Sequence, residues 1–232
     1  MRVYIGSVIP SQWRKYKIGQ LFSPPKTGIA PKNFVLDNGA FSNWVKNREF
    51  CETDYLRWLD RWLEKATPDW LVVPDAVGNK AETLALWRKW EGILREFKVP
   101  LAIAVQDGME IKDIPATADV IFVGGTTLWK IKNIPYWCKA HPRVHIARVN
   151  GWHRLYLAYA SGAKSVDGTG FLRKTINGQP AVELELFLRW QAGELRKNSF
   201  EFWALNPSDR RYLLSSLKPT NYKDLPLFCT GE

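Results

Sequence analysis

Cysteine is scarce in this chain of 232 residues: Cys51, Cys138 and Cys229 stand far apart and leave neither a disulfide framework nor a paired metal-ligand motif. A reducing compartment is expected, and zinc or any other metal is not. Histidine is equally scarce, and His141, His145 and His153 lack a metal-ligand spacing. His145, inside an apolar run, reads as structural. No apolar stretch approaches the roughly 20 residues that cross a bilayer, and the opening MRVYIGSVIP lacks the charged-then-apolar order of an export signal. A cytoplasmic protein without a membrane partner is expected. Gly162-Ala163-Lys164-Ser165 has no Gly-Lys-Ser ending and precedes a strand where a phosphate loop needs a helix, so nucleotide binding of that type is excluded. Acid is also in deficit, with 23 acidic against 33 basic residues and a formal charge of +10.

Such a surplus favours polyanions, because each neutralised phosphate releases condensed counterions. The cations recur in small groups, Arg14-Lys15-Tyr16-Lys17, Lys130-Ile131-Lys132, Arg173-Lys174 and Arg210-Arg211, with aromatics nearby. Bases stack on aromatics. The alternative is a solvated basic surface, and charge alone leaves both open.

What the chain does hold, 46% hydrophobic residues, suffices for one sizeable core. One domain over residues 1–232 is expected. Strands are predicted over Arg2–Val8, Asn33–Leu36, Trp70–Val73, Leu101–Val105, Val120–Val123, Arg143–Val149 and Lys164–Val166, with Phe200–Leu205 as an eighth. Helices are predicted over Asp54–Lys65 with Thr53 or Asp54 as cap, from about Lys80 to Phe97, near His153–Ser161, and over Ala181–Leu195. Trp58 and Trp62, and likewise Trp87 and Trp90, share helical faces and read as packing residues, whereas Trp129 and Trp152, just past strand ends, read as stacking candidates. Leu101–Val105 is apolar on both faces, as a buried parallel strand should be. Strands alternating with helices imply parallel pairing, and seven or eight units favour a compact, irregular (β/α)8 barrel over an open doubly wound sheet.

A barrel points its strand C-termini into one mouth, which would collect Asp37, Asp75, Gln106, Gly124-Gly125, Arg148, Asn150 and Asp167. Asp75, Gln106 and the open backbone of Gly124-Gly125 suit the edge of a planar, purine-like base, with Phe41 on its face. Asp37 and Asp167 could divide the breaking of a glycosidic bond, one attacking the sugar carbon and the other moving the proton of the departing base. Each aspartate alone could equally be a turn or cap residue, and Asp107 reads as one.

The segments Leu36-Asp37-Asn38-Gly39-Ala40-Phe41, Val73-Pro74-Asp75, Ala104-Val105-Gln106-Asp107-Gly108, Phe122-Val123-Gly124-Gly125-Thr126 and Ser165-Val166-Asp167, in this order, resemble the signature blocks of the guanine transglycosylase superfamily. The resemblance covers most of residues 33–171. It implies that Asp167 is the nucleophile and Asp37 the general acid/base. It implies also that Asp75, Gln106, Gly124 and Gly125 recognise the base while Phe41 stacks on it. Ala147-Arg148-Val149-Asn150-Gly151 falls where the family lines the same pocket, and Arg148 and Asn150 depart from its pattern there, which points to a different incoming base or 7-substituent.

The tRNA-acting members carry a zinc site of three cysteines and a histidine beyond the nucleophile, and nothing like it stands between Asp167 and Glu232. The chain therefore looks more like the DNA-acting branch, found in bacterial modification clusters and bacteriophages. That branch exchanges guanine in DNA for a free 7-deazaguanine such as 7-cyano-7-deazaguanine, without a cofactor and in some cases with an accessory modification protein. Lys130, Lys132, Arg173 and Lys174 follow predicted strand ends and are the expected phosphate contacts. Three alternatives stay open: a zinc-free tRNA-acting relative, a phosphate-binding barrel isomerase or lyase using Gly124-Gly125, and a catalytically silent DNA-binding barrel.

Overall fold

A computed structural model describes residues 1–170, 175–176, 179–180 and 182–194. Eight strands close into one parallel barrel: β1 (Arg2–Ile5), β2 (Ile18–Phe22), β3 (Phe34–Leu36), β4 (Leu71–Val72), β5 (Leu101–Val105), β6 (Val120–Val123), β7 (Val144–Ile146) and β8 (Ser165–Asp167). Each pairs with its sequence neighbour, and β8 returns to β1 through Val3 opposite Val166. The fold is thus the (β/α)8 barrel that the unit count favoured. The helices are α1 (Ala40–Val45), α2 (Glu52–Leu63), α3 (Lys80–Arg95), α4 (Thr127–Ala140), α5 (Trp152–Ala160) and α6 (Val182–Gln191). A small antiparallel pair, β9 (Thr175–Ile176) with β10 (Gln179–Pro180), follows the barrel.

The barrel is irregular, because β1 reaches β2 through a single 3-10 turn at Ser11–Trp13, β2 reaches β3 through a loop, and β5 reaches β6 through a 3-10 turn at Ile111–Asp113. The sequence reading missed β2 and sought the closing strand at Phe200–Leu205, which lies outside the described residues. Ile18-Gly19-Gln20-Leu21-Phe22 looked unlike a strand because a glycine and a glutamine interrupt it. The glycine is needed there: a Cβ on Gly19 would lie 2.6 Å from the Tyr4 ring. Three strands are also shorter than their apolar runs, Trp70–Val73 being a strand only over Leu71–Val72. Arg2–Val8 ends as a strand at Ile5, and Arg143–Val149 ends at Ile146, with Arg148 turning into the left-handed region at φ +54°.

Strand residues alternate between two cores. Val3, Ile5, Leu36, Leu71, Leu101, Ile103, Val105, Ile121, Ile146 and Val166 face outward onto the helices. Tyr4, Val35, Trp70, Val72, Ala102, Ala104 and Val120 fill the interior. Buried Tyr55, Trp58, Leu59 and Trp62 make the expected inner face of α2, where Trp62 lies 4.2 Å from the Phe22 ring and 5.5 Å from the Phe34 ring. The cap of α2 is Cys51, without a side-chain bond, so Thr53 and Asp54 sit inside the first turn. Asn79 caps α3 by accepting from the Glu82 amide at 3.1 Å. Helix α4 was not anticipated, since Pro135 and three lysines disguise it as a loop. Leu184, Leu186, Phe187 and Leu188 bury α6 against the outer core. Among the described residues no helix is long and apolar enough to cross a membrane.

Candidate active site

Continuing the inward phase two residues beyond Val35, Ala104 and Phe122 gives Asp37, Gln106 and Gly124, all at the C-terminal mouth. On β8, Ser165 and Asp167 share that phase, and His145 of β7 lies in register with Ser165. The alternation that builds the apolar interior therefore also aims the polar groups.

Asp167 is held from below and behind. Its Oδ1 stands 3.0 Å from His145 Nε2 and accepts from the Arg148 amide at 3.0 Å. His145 Nδ1 lies 2.9 Å from Ser165 Oγ. His145 is fully buried, stacked against Phe122 at 5.0 Å, and burial lowers its pKa although the Asp167 carboxylate opposes this. The ring is accordingly neutral at pH 7. A carboxylate only accepts, so the single ring proton belongs on Nε2, and Ser165 donates to Nδ1. Two donors thus fix Oδ1, and Oδ2 has no partner among the described residues.

Asp37 faces the same mouth in a different condition. Burial, then the neighbouring Asp167 and Asp75 carboxylates, push its pKa up to about 7, against the backbone amides of Gly39 and Asn38. Asp75 is pushed up to about 6 by burial, with the Asn38 amide and Arg148 opposing. Asn38, itself buried, donates to Asp75 Oδ1 at 2.7 Å and to the Val73 carbonyl at 2.8 Å. Gln106 donates to Asp75 Oδ2 at 2.6 Å while its Oε1 accepts from the Gly78 amide at 2.9 Å. Buried Thr83 of α3 clasps Ala76 in both directions, at 3.0 and 3.1 Å, and so fixes the loop behind Asp75. Each Asp75 oxygen has one protein donor and keeps a second lone pair for a ligand.

Arg148 spans the mouth. Its guanidinium lies 3.9 Å from the centroid of the Phe41 ring and donates to the Gly125 carbonyl at 2.6 Å. Burial lowers its pKa, and the Asp167, Asp37 and Asp75 carboxylates raise it. Gly125 sits at φ +68°, where a Cβ would lie 2.6 Å from Asp107 Oδ2. Asp107 is the turn residue that the sequence suggested, accepting from the Thr126 amide at 2.7 Å and from its hydroxyl at 2.6 Å. The Gly124 amide donates to the Val105 carbonyl at 3.1 Å, so it is not open for a phosphate.

The mouth therefore assembles Asp37, Phe41, Asp75, Gln106, Gly124, Gly125, Arg148 and Asp167. Asn150 stands apart: it is exposed, and its Oδ1 accepts from the Gly170 amide at 2.8 Å, which ties two loops together. Lys130 is corrected. It is fully buried, its ammonium donates to the Ala147 carbonyl behind Arg148, and burial followed by Arg148 lowers its pKa to about 7. A lysine so placed cannot reach a phosphate; Lys132, just over half a turn further along α4, is exposed. Arg173 and Lys174 lie outside the described residues. Trp129 packs on α4 within 6.4 Å of Trp137 and covers the Gly125 turn, which removes it as a free stacking surface. The Trp152 side chain also lies outside the described residues. His145, Ser165 and Asn38 were missed as site residues. Phase would have found the first two, since they alternate with outward residues on adjacent strands, whereas Asn38 was hidden in an Asp-Asn-Gly turn signal.

Among the described residues no three His, Cys, Asp or Glu side chains are grouped to hold a metal ion. The chemistry available is that of three carboxyl groups, one imidazole and one guanidinium that lies over the Phe41 ring. No protein-family model matches the chain, and no curated protein matches it.

Proposed function

We propose that this chain is a DNA guanine transglycosylase, which exchanges guanine in DNA for a 7-deazaguanine by double displacement. The observation that carries the reading is the unlike preparation of two carboxyls in one mouth: Asp167 anchored through Oδ1, with no partner for Oδ2 among the described residues, and Asp37 raised to about 7. A general acid/base works best with a pKa near the working pH.

In this reading Asp167 Oδ2 attacks C1′ of the deoxyribose as the bond from C1′ to N9 breaks. The electron pair stays on the guanine, which takes the Asp37 proton. The replacement base then gives its N9 proton to the Asp37 carboxylate, its nitrogen attacks C1′, and Asp167 leaves with the original configuration restored. Asp75, oriented by Asn38 and Gln106, accepts from the base's N1–H and exocyclic amine. Phe41 stacks on the base once Arg148 has moved off, because the guanidinium and the base need the same ring face.

DNA as the substrate is supported by the charge of +10 and by the surface beside the mouth. No residue of α1 is buried; Phe41 is 38%, Trp44 62% and Val45 61% exposed. A large exposed aromatic next to a recessed site suits a strand from which one base has been withdrawn, since flanking bases lose a stacking partner and Trp44 can replace it. The test is to incubate duplex DNA with the protein and labelled guanine or 7-cyano-7-deazaguanine. Label should enter the DNA, and denaturation should leave a protein–DNA adduct that Asp167→Asn lacks. Folded, DNA-binding protein that exchanges neither base would refute the reading.

A further inference from the structure

The opposite mouth of the barrel carries a separate charge pattern. A cavity of about 420 Å³ opens among the strand N-termini, lined by Arg2, Lys17, Arg143 and Lys164 and walled by Tyr4 and Trp70. Each cation opens or immediately precedes a strand: Arg143 before β7, Lys164 before β8, Arg2 on β1, Lys17 before β2. These four strands are consecutive in the closed barrel. Neighbouring strands lie about 4.8 Å apart, so the cations form an arc of roughly 15 Å. The ladder fixes it, since the Arg2 amide donates to the Lys164 carbonyl at 2.9 Å, Val3 to Lys17 at 3.0 Å, and Ile121 to Arg143 at 3.0 Å.

Nearby acid does not balance the arc. Asp69 is the one acidic residue in the lining, and its Oδ2 already accepts from Arg2 at 2.8 Å and from the Tyr4 hydroxyl at 2.6 Å. Asp119, near Arg143, is held by Arg95 at 2.6 Å and by the Leu101 amide at 2.9 Å. Lys17, Arg143 and Lys164 have no ion pair among the described residues. Like charges set around a concavity repel one another, and a bound anion relieves that repulsion while concave walls focus the field on it.

We propose that this N-terminal mouth binds a phosphate-bearing small molecule, its phosphate on the arc of Lys17, Arg2, Lys164 and Arg143. A duplex cannot enter a recess of this size, whereas a mononucleotide can. Trp70 precedes β4, across the barrel from β8, so an aromatic wall faces the arc and suits the remainder of such a ligand.

Titration calorimetry of the whole chain with inorganic phosphate, guanosine 5′-monophosphate and guanosine separates the sources of that chemistry. Phosphate, the monophosphate, or both should bind at one site and weaken with added salt, and phosphate-free guanosine should not compete there. Lys17→Ala/Lys164→Ala should weaken the binding about tenfold or more, with unchanged thermal unfolding because both side chains are exposed. Arg143→Gln gives an independent check in the same direction, and Asp167→Asn, at the other mouth, should bind as the parent does. Absence of saturable binding by both inorganic phosphate and the monophosphate, full binding by both arc variants, or an effect of the arc variants on duplex DNA alone would each overturn the proposal. Because none of these measurements requires base exchange, they stand or fall apart from the transglycosylase reading.

Discussion

Asp37→Asn should stabilise the protein at neutral and alkaline pH while abolishing exchange. The Asp37 carboxyl lies at about 7 in the folded chain against 3.8 for the free side chain. Between these values the folded state binds the proton more tightly than the unfolded state, so folding stability falls as pH rises from 3.8 and the loss is complete above 7. Ionising Asp37 in its half-buried position therefore costs about 4 kcal/mol at most, and relaxation of the neighbouring carboxylates reduces this to about half. Asparagine keeps an oxygen to accept from the Gly39 and Asn38 amides but carries no charge. The gain should vanish below pH 4, grow through pH 5 to 7, and reach roughly 2 to 4 kcal/mol at pH 8.5. For a chain of this size that is a rise in Tm of about 5 to 15 °C. Thermal and urea unfolding of parent and variant at pH 4, 6 and 8.5 measure it. An equal gain at all three values, or a variant less stable at pH 8.5, would refute the claim that Asp37 is held protonated by burial and like charge.

Lys130→Met should show the opposite pH dependence. Its amine lies at about 7 against 10.5, so the folded state binds fewer protons and the penalty is full below 7 and gone above 10.5. After the lost bond to Ala147 is allowed for, the variant should be more stable by roughly 2 kcal/mol at pH 6 and no more stable at pH 10, a contrast that unfolding curves resolve. His145→Phe should keep the stack with Phe122 and Trp70 but remove one donor from Asp167. A hydrogen bond to a carboxylate contributes about 1.5 to 3 kcal/mol, so adduct formation should slow about 10- to 150-fold with base affinity little changed; an unaltered rate would mean that His145 only packs. Trp44→Ala should weaken binding to DNA by about 1 to 3 kcal/mol and leave the affinity for free guanine alone, which fluorescence anisotropy and calorimetry compare.

Much of this arrangement was legible because two periodicities act together. Apolar runs such as Leu101–Val105 and Val120–Val123 are long enough to be strands whichever face is read, and the residue that follows each in phase points into the mouth. Asp37, Gln106, Gly124 and Asp167 were legible as strand-end residues, and the phase explains why they face one mouth. What failed depends on contacts across the barrel. Ile18–Phe22 is a strand because Tyr4 and Asn33 lie beside its glycine, not because its own pattern is strong. Lys130 looked like a surface cation because sequence gives no view of the Ala147 carbonyl that draws its amine inward. His145 looked structural, and it does pack between aromatic rings, but its Nε2 also meets a carboxylate that only register with Ser165 could reveal.

Under the proposed function, a mouth of three carboxyls would have to receive the most anionic of polymers, and the raised pKa values of Asp37 and Asp75 bear on that conflict. With Asp37 raised to about 7, the negative charge it carries at neutral pH is reduced, and Arg148 offsets a further charge. Burial raises Asp37 most, so under the proposed function the desolvation that readies it to give a proton to a leaving base would also reduce repulsion of an approaching strand. Arg148 serves the empty site in a related way. Its planar N–H donors lie over Phe41 among Asp37, Asp75 and Asp167, where the N1–H and amine of guanine would present planar donors to the same carboxylates over the same ring. The guanidinium thus resembles the base that the proposed function would bring in its place, and exchange of one planar donor for the other would leave the half-buried carboxylates partnered throughout. Once displaced, Arg148 would place a cation at the rim, where the proposed substrate's sugar-phosphate backbone would pass. Its left-handed backbone keeps its own amide on Asp167 Oδ1, so the side chain can swing without releasing the nucleophile.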